Sequence, residues 1–125
     1  SSELKQIKSI VKGLNKKQIQ NLYSKWPGPH TWLITANHKC PSWLKRNDKV
    51  AVRIPDLNIC QELLASIDMT ITSTSANRTK QRPIKNYREA CRQYGKTIHI
   101  VKGRIGKNKK PSQIQDFETK AIIRK

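Results

Sequence analysis

Ile71-Thr72-Ser73-Thr74-Ser75-Ala76-Asn77 is the stretch on which the reading of this chain turns. Met69, Thr70 and Ile71 lead into it, so it reads as a buried strand whose C-terminal end opens into small hydroxyl and amide side chains. In open α/β sheets ligands sit outside the carboxyl ends of strands, and side chains this short bring a ligand close to the backbone. Ser, Thr and Asn also make local turns, and on composition alone both readings stand.

Working upstream, Val50-Ala51-Val52-Arg53-Ile54-Pro55 alternates apolar and outward residues and ends on proline, which predicts a strand with Arg53 on the opposite face from Val50, Val52 and Ile54. The planar, permanently charged fork of Arg53 suits phosphate or carboxylate. Between these two stretches Ile59, Leu63, Leu64 and Ile67 mark a helix capped by Asp56 or Asn58. Strand, helix, strand is a βαβ-like order.

Further upstream, Leu4, Ile7, Ile10, Val11 and Leu14 predict one amphipathic helix ending near residues 13–15. A second helix carries Ile19, Leu22, Tyr23 and Trp26 behind Asn15 as N-cap. Trp26-Pro27-Gly28-Pro29-His30-Thr31 is turn chemistry, two prolines with a glycine free for positive φ, feeding a strand over 31–36. Residues 37–49 read as a polar loop, with Trp43 and Leu44 folded back onto the body.

Downstream of Asn77 comes a basic loop with Arg78, Lys80 and Arg82. Asn86 then caps a helix bearing Tyr87, Ala90, Cys91 and Tyr94, closed by Gly95 at C′. Residues 97–101 read as a strand. The basic loop 102–110 could cover phosphates but lacks the P-loop spacing. The ladder restarts at Pro111-Ser112-Gln113-Ile114, turns at Glu118-Thr119 and closes over 121–124. Helices alternating with strands predict an α/β domain with a twisted, mostly mixed open sheet flanked by helices.

With 125 residues and 35% of them hydrophobic, there is material for one modest core, hence one domain or part of one. Lys and Arg number 26 against 8 acidic residues, a formal charge of +18 spread along the chain, which implies an anionic partner. Cys40, Cys60 and Cys91 are far apart and form no C-x-x-C pair, so no disulfide framework is expected, and His38 with Cys40 lacks a second pair for a metal. The absence of a long apolar run or a signal-type start predicts a cytoplasmic protein with no membrane association.

Five pieces in order, Lys25-Trp26-Pro27-Gly28-Pro29-His30-Thr31, Val52-Arg53-Ile54-Pro55, Ser73-Thr74-Ser75-Ala76-Asn77, Pro111-Ser112-Gln113-Ile114 and Ile123-Arg124, resemble the YrdC-type threonylcarbamoyl-adenylate (threonylcarbamoyl-AMP) synthases in their short bacterial form. Each piece alone is weak; the ordered set is specific. The resemblance implies a YrdC-like domain over 1–125 and a nucleotidyltransferase that joins L-threonine, bicarbonate or carbon dioxide, and ATP into threonylcarbamoyl-AMP and pyrophosphate. That product serves the threonylcarbamoyladenosine modification of tRNA at adenosine 37. It further implies Ser75 and Asn77 as catalytic residues and Thr31, Arg53, Ser75, Asn77, Ser112 and Arg124 as ATP-binding residues. Thr31, Ser73 and Thr74 are implied for threonine. Magnesium would arrive on the nucleotide, held by phosphates and water, with no metal on the protein side chains. RNA or tRNA, and other proteins of tRNA threonylcarbamoylation, are the implied macromolecular partners.

The family's front motifs, P-T-E-T-x-Y-G-L and then K-x-R, do not occur here. The resemblance therefore implies a domain incomplete at its N-terminal side, lacking part of the sheet and the main phosphate-binding lysine, with little or no activity by itself. A non-catalytic RNA-binding module with a basic concave surface is the alternative. The charge supports it; the scarcity of aromatic residues, 6%, and the lack of RNP, KH or cold-shock signatures oppose it.

Overall fold

His30, Trp32 and Ile34 alternate with Thr31, Leu33 and Thr35, and this period of two makes β1 (His30–Thr35), whose first set is buried throughout. In the computed structural model, which describes residues 3–67, 69–77, 81–103 and 111–124, β1 is one of the two inner strands of a four-stranded mixed sheet. Its neighbours are β2 (Lys49–Val52), antiparallel, and β3 (Gln113–Asp116), parallel; β4 (Ile122–Arg124) pairs antiparallel with β3 at the edge. The order is β2-β1-β3-β4. The mixed α/β architecture expected from the sequence is the one observed.

The chain divides into two units, Ser1–Ile71 with Lys110–Lys125, and Thr72–Lys109. The first holds the sheet and the core. Trp32, Ile34, Val50, Val52 and Ile54 cover one face of the sheet and pack with Leu4 and Ile7 of α1 (Leu4–Lys8), Leu22 of α2 (Lys16–Tyr23), Trp26 and Phe117. Each such side chain stabilises the fold by roughly 1.5–3 kcal/mol. Helix α3 (Asn58–Ile67) is tied in by Gln6, whose Nε2 donates to the Leu64 carbonyl at 3.3 Å.

Three local expectations in this unit are corrected. The first helix stops at Lys8 instead of running to residues 13–15. Val11 is taken up extended, in an antiparallel bridge to Ala36, and the Lys12 amide donates to Thr35 O at 2.9 Å, so sheet pairing outcompetes a further helical turn. Gly28 does not use positive φ; it is needed because a Cβ there would stand 2.8 Å from the Lys25 carbonyl oxygen. Trp43, on the short 3-10 turn Ser42–Leu44, is 73% exposed, while Leu44 alone of the pair packs inward.

Helix α2 begins with a full capping box: Asn15 Oδ1 accepts from the Gln18 amide at 2.9 Å, and Gln18 Oε1 accepts from the Asn15 amide at 2.8 Å. Asn15→Ala is expected to cost about 1 kcal/mol, read as a lower urea midpoint at unchanged slope.

The second unit carries α4 (Tyr87–Tyr94), capped by Asn86 as expected, with Oδ1 accepting from the Glu89 amide at 2.9 Å. Glu89 closes the start of the helix through Arg82 at 2.7 Å and the Lys85 amide at 3.0 Å. Gly95 ends it in right-handed geometry and not in the left-handed C′ conformation. The strands expected over 69–71 and 97–101 do not form. Met69, Ile71, Ile98 and Val101 are all about half exposed or more, and Thr97 and Ile98 instead donate their amides to Tyr94 O, continuing the helix end as a turn. An apolar run becomes a strand only where it pairs with a neighbouring strand's backbone, and neither segment is a member of the sheet. Arg78, Lys80 and most of the basic loop 102–110 lie outside the described residues. Among the described residues no helix is long and apolar enough to cross a membrane.

Candidate functional site

The face of the sheet opposite the core is polar, and its register collects residues remote in sequence. Thr31 pairs with Ile114 of β3, and Ile114 with Arg124 of β4; the Trp32–Val52 pair sets Arg53 across from Thr31. Register partners share a face, so Thr31, Arg53, Ser112 and Arg124 stand on one side. The contacts agree. Thr31 Oγ1 and Ser112 Oγ are 2.9 Å apart across 81 positions of sequence. Arg124 donates from Nε and Nη2 to the Ser112 carbonyl at 3.1 and 2.8 Å, and from Nη2 to Ser112 Oγ at 3.2 Å. Thr31 is buried, Ser112 and Arg53 half-buried, Arg124 exposed. The result is a graded line from hydroxyl groups inside to a guanidinium at the rim, suited to donate hydrogen bonds to an anion.

The turn before β1 fixes Thr31. Trp26, buried, donates its Nε1 to the His30 carbonyl at 2.8 Å, and the Gly28 amide donates to Ile54 O at 2.9 Å, locking the turn to the end of β2. His30 packs edge-on to Trp32, ring centres 4.3 Å apart. Burial, then the Lys25 charge, lower its pKa against a raising hydrogen bond with Gln113, so His30 is neutral at pH 7 and adds no charge beneath the site.

At the other end of the same polar face lies a group that the sequence reading did not single out. Lys49 Nζ contacts Asp116 Oδ2 at 2.7 Å and Glu118 Oε2 at 3.0 Å, and Thr35 Oγ1 donates to Glu118 Oε1. The signal was available: in the observed pairing Lys49 opposes Thr35, but that register is invisible until β1 and β2 are aligned.

Ser73, Thr74 and Ser75 are exposed residues of the second unit, and Asn77 is half-buried with Nδ2 donating to Gln81 O at 3.0 Å. They form a polar loop and not the end of a strand, which corrects the opening expectation about their secondary structure. The structure thus brings together Thr31, Arg53, Ser112 and Arg124 in one unit, and Ser73 to Asn77 in the other.

A family model for Sua5/YciO/YrdC proteins, described as telomere recombination, matches residues 1–125. The chain is 38% identical over 120 residues to the threonylcarbamoyl-AMP synthase of Methylobacillus flagellatus, covering 95% of this chain and 67% of that protein. It is 37% identical over 125 residues to the synthase of Neisseria gonorrhoeae, covering 98% and 66%. Among solved structures, P. abyssi Sua5 with two alanine substitutions superposes with a TM-score of 0.82 at 21% identity, over 93% of this chain and 36% of that one. P. abyssi Sua5 complexed with L-threonine gives 0.80 at 23%, over 92% and 34%. The chain therefore spans about two thirds of these curated relatives and about a third of the solved chains. Matched along its whole length by the family model, and sharing the fold of Sua5, the chain belongs to the Sua5/YciO/YrdC family.

Proposed function

We propose that this chain is the nucleotide-binding part of a threonylcarbamoyl-AMP synthase, the reading carried by the hydrogen-bonded line Thr31–Ser112–Arg124 in a chain 38% identical to a protein of that name. In this reading the threonine amine captures carbon dioxide, supplied as such or as bicarbonate, giving a carbamate. A carbamate oxygen bonds to the α-phosphorus of ATP while the bond from that phosphorus to the bridging oxygen breaks, and pyrophosphate leaves with the electron pair. Both reactants are anions, so the site must hold them against their repulsion. Arg53 and Arg124 supply fixed positive forks for phosphate, Thr31 and Ser112 orient oxygen atoms, and Ser75 with Asn77 hold the nucleotide and acyl group, with Ser73 and Thr74 toward threonine. The hydroxyl-rich donor set, without a carboxylate among these residues, fits a magnesium ion carried by phosphates and water and not a protein cage; that ion would neutralise triphosphate charge. The product would serve modification of adenosine 37 in tRNA.

The test is saturable ATP binding by this chain together with threonine-dependent pyrophosphate release, measured on this chain and on a version that also carries the family's front motifs. Ser112→Ala removes one end of the Thr31 contact and an acceptor of Arg124, and is expected to weaken ATP binding about tenfold. Ser75→Ala with Asn77→Ala is expected to abolish threonine-dependent release. ATP binding indifferent to all three substitutions, or release that ignores threonine, overturns the reading.

A further inference from the structure

The Thr31–Ser112 contact sits at the open end of the β1–β3 pairing. Gln113 is the first residue of β3, Ser112 lies just before it, and the pair His30–Gln113 begins the register. Ladder ends fray, so a hydroxyl pair placed there keeps its spacing only if something else fixes the two strands. The nearest backbone rung is the Gln113 amide, which donates to Pro29 O at 3.1 Å. One rung leaves the strands free to hinge about it.

The second tie is on the core face. Register partners share a face, so His30 and Gln113 meet on the opposite side of the sheet from Thr31 and Ser112, their chain neighbours. The His30 imidazole hydrogen-bonds the Gln113 side chain. His30 is itself held fast: it is 5% exposed, its carbonyl accepts from Trp26 Nε1 at 2.8 Å, and its ring rests edge-on against Trp32, 4.3 Å between centres. Its Nε2 is buried with no hydrogen-bond partner among the described residues. Burying that nitrogen costs free energy that a leucine of similar volume would not. What histidine adds here, and leucine lacks, is the bond to Gln113.

We infer that His30 and Gln113 are positioning residues for nucleotide binding: their contact on the core face sets the spacing of Thr31 and Ser112 on the polar face. The inference rests on the reading of Thr31, Ser112 and Arg124 as the phosphate grip. The experiment measures ATP affinity on this chain and on the version with the front motifs. His30→Leu and Gln113→Leu are each expected to weaken ATP binding about 3- to 10-fold. Together they should cost no more than either alone, because both remove one contact. His30→Gln, which keeps an N–H donor, is expected to stay within about twofold of the parent. Asn15→Ala, a destabilising change away from this seam, should leave the affinity of the folded protein unmoved. Proton NMR of the His30 ring reads the contact itself, without ATP. Its pKa should fall further below the ordinary 6.5 in Gln113→Leu and rise in Gln113→Glu, whose carboxylate favours the charged ring. ATP binding that is indifferent to His30→Leu and Gln113→Leu but weakened by Ser112→Ala overturns the positioning and leaves the nucleotide reading standing. No saturable ATP binding by either parent overturns both. Losses that add in the double variant, or a His30 titration unmoved by both Gln113 substitutions, would also overturn the positioning.

Discussion

Lys49→Met is expected to destabilise the sheet-bearing unit by about 3–5 kcal/mol. Lys49 Nζ neutralises Asp116, whose side chain is 10% exposed, at 2.7 Å, and reaches Glu118 at 3.0 Å. Asp116 in turn holds the β3–β4 turn, its Oδ1 accepting from the amides of Glu118 and Thr119, both at 3.0 Å. Without the ammonium, a buried carboxylate keeps only those amides, and the attraction lost is larger than the methionine packing gained. The pair also sets the pH response. Burial pushes the Asp116 carboxyl up, but the hydrogen bonds from Lys49 and the Thr119 and Glu118 amides outweigh it and hold the pKa at about 2, against an ordinary 3.8. A folded pKa below the unfolded one means stability fully present above pH about 4 and lost as pH falls toward 2, an acid limb of about 2 kcal/mol. The Lys49 pKa is raised by the Asp116 and then the Glu118 hydrogen bonds, so its contribution is complete below its ordinary 10.5 and is lost as pH rises past it. Urea unfolding followed from pH 2 to pH 12 should show both limbs in the parent and flatter limbs in Lys49→Met. An acid limb of unchanged size in the variant would refute this account.

Trp32→Ala is expected to cost about 3–5 kcal/mol and Trp32→Phe much less. Trp32 is 2% exposed and sits at the centre of an aromatic cluster, edge-on to His30 and, at 5.4 Å, to Phe117. Lys120, in the turn after β3 at φ 62°, caps that cluster, its ammonium 4.3 Å from the Phe117 ring centre and 5.3 Å from the Trp32 ring centre. Removing the indole opens a cavity between the sheet and Phe117 and strips Lys120 of one of its two rings. The check is thermal unfolding of both variants; an alanine variant as stable as the phenylalanine one would show that the ring carries little of the packing.

What could be read from the sequence followed local periodicity and short motifs. Alternation located β1 and the start of β2 to within a residue, though β2 ends at Val52, three residues before the expected Pro55, and Asn15 and Asn86 announced two helix starts that the structure keeps. The Thr31, Arg53, Ser112 and Arg124 set was legible only through resemblance, because no local rule connects residues 81 positions apart. The failures have one cause. Met69 to Ile71, residues 97–101 and the turn beyond Lys8 all had the composition of the element expected, and each was decided by whether a partner strand was present, which is a property of the sheet order. Trp43 is the converse case: a large apolar residue expected to fold back onto the body that the structure holds in water. Lys49 and Asp116 were passed over because a lysine and an aspartate far apart in a strongly basic chain give no sign of being neighbours.

The adjacency of β1 and β3 gives the chain a timetable. β1–β2 pairing closes a short loop, whereas β1–β3 pairing must bring back a strand from beyond the entire Thr72–Lys109 unit. Each doubling of such a loop adds only about 0.6 kcal/mol of closure entropy, so the final stability scarcely registers the detour. The rate does, because non-local pairing slows folding far more than it weakens the fold. Thr31 and Ser112 meet only when β3 has docked, so the hydroxyl pair depends on this long-range pairing, and a chain with its β1–β2 hairpin and helices built but β3 undocked lacks that contact.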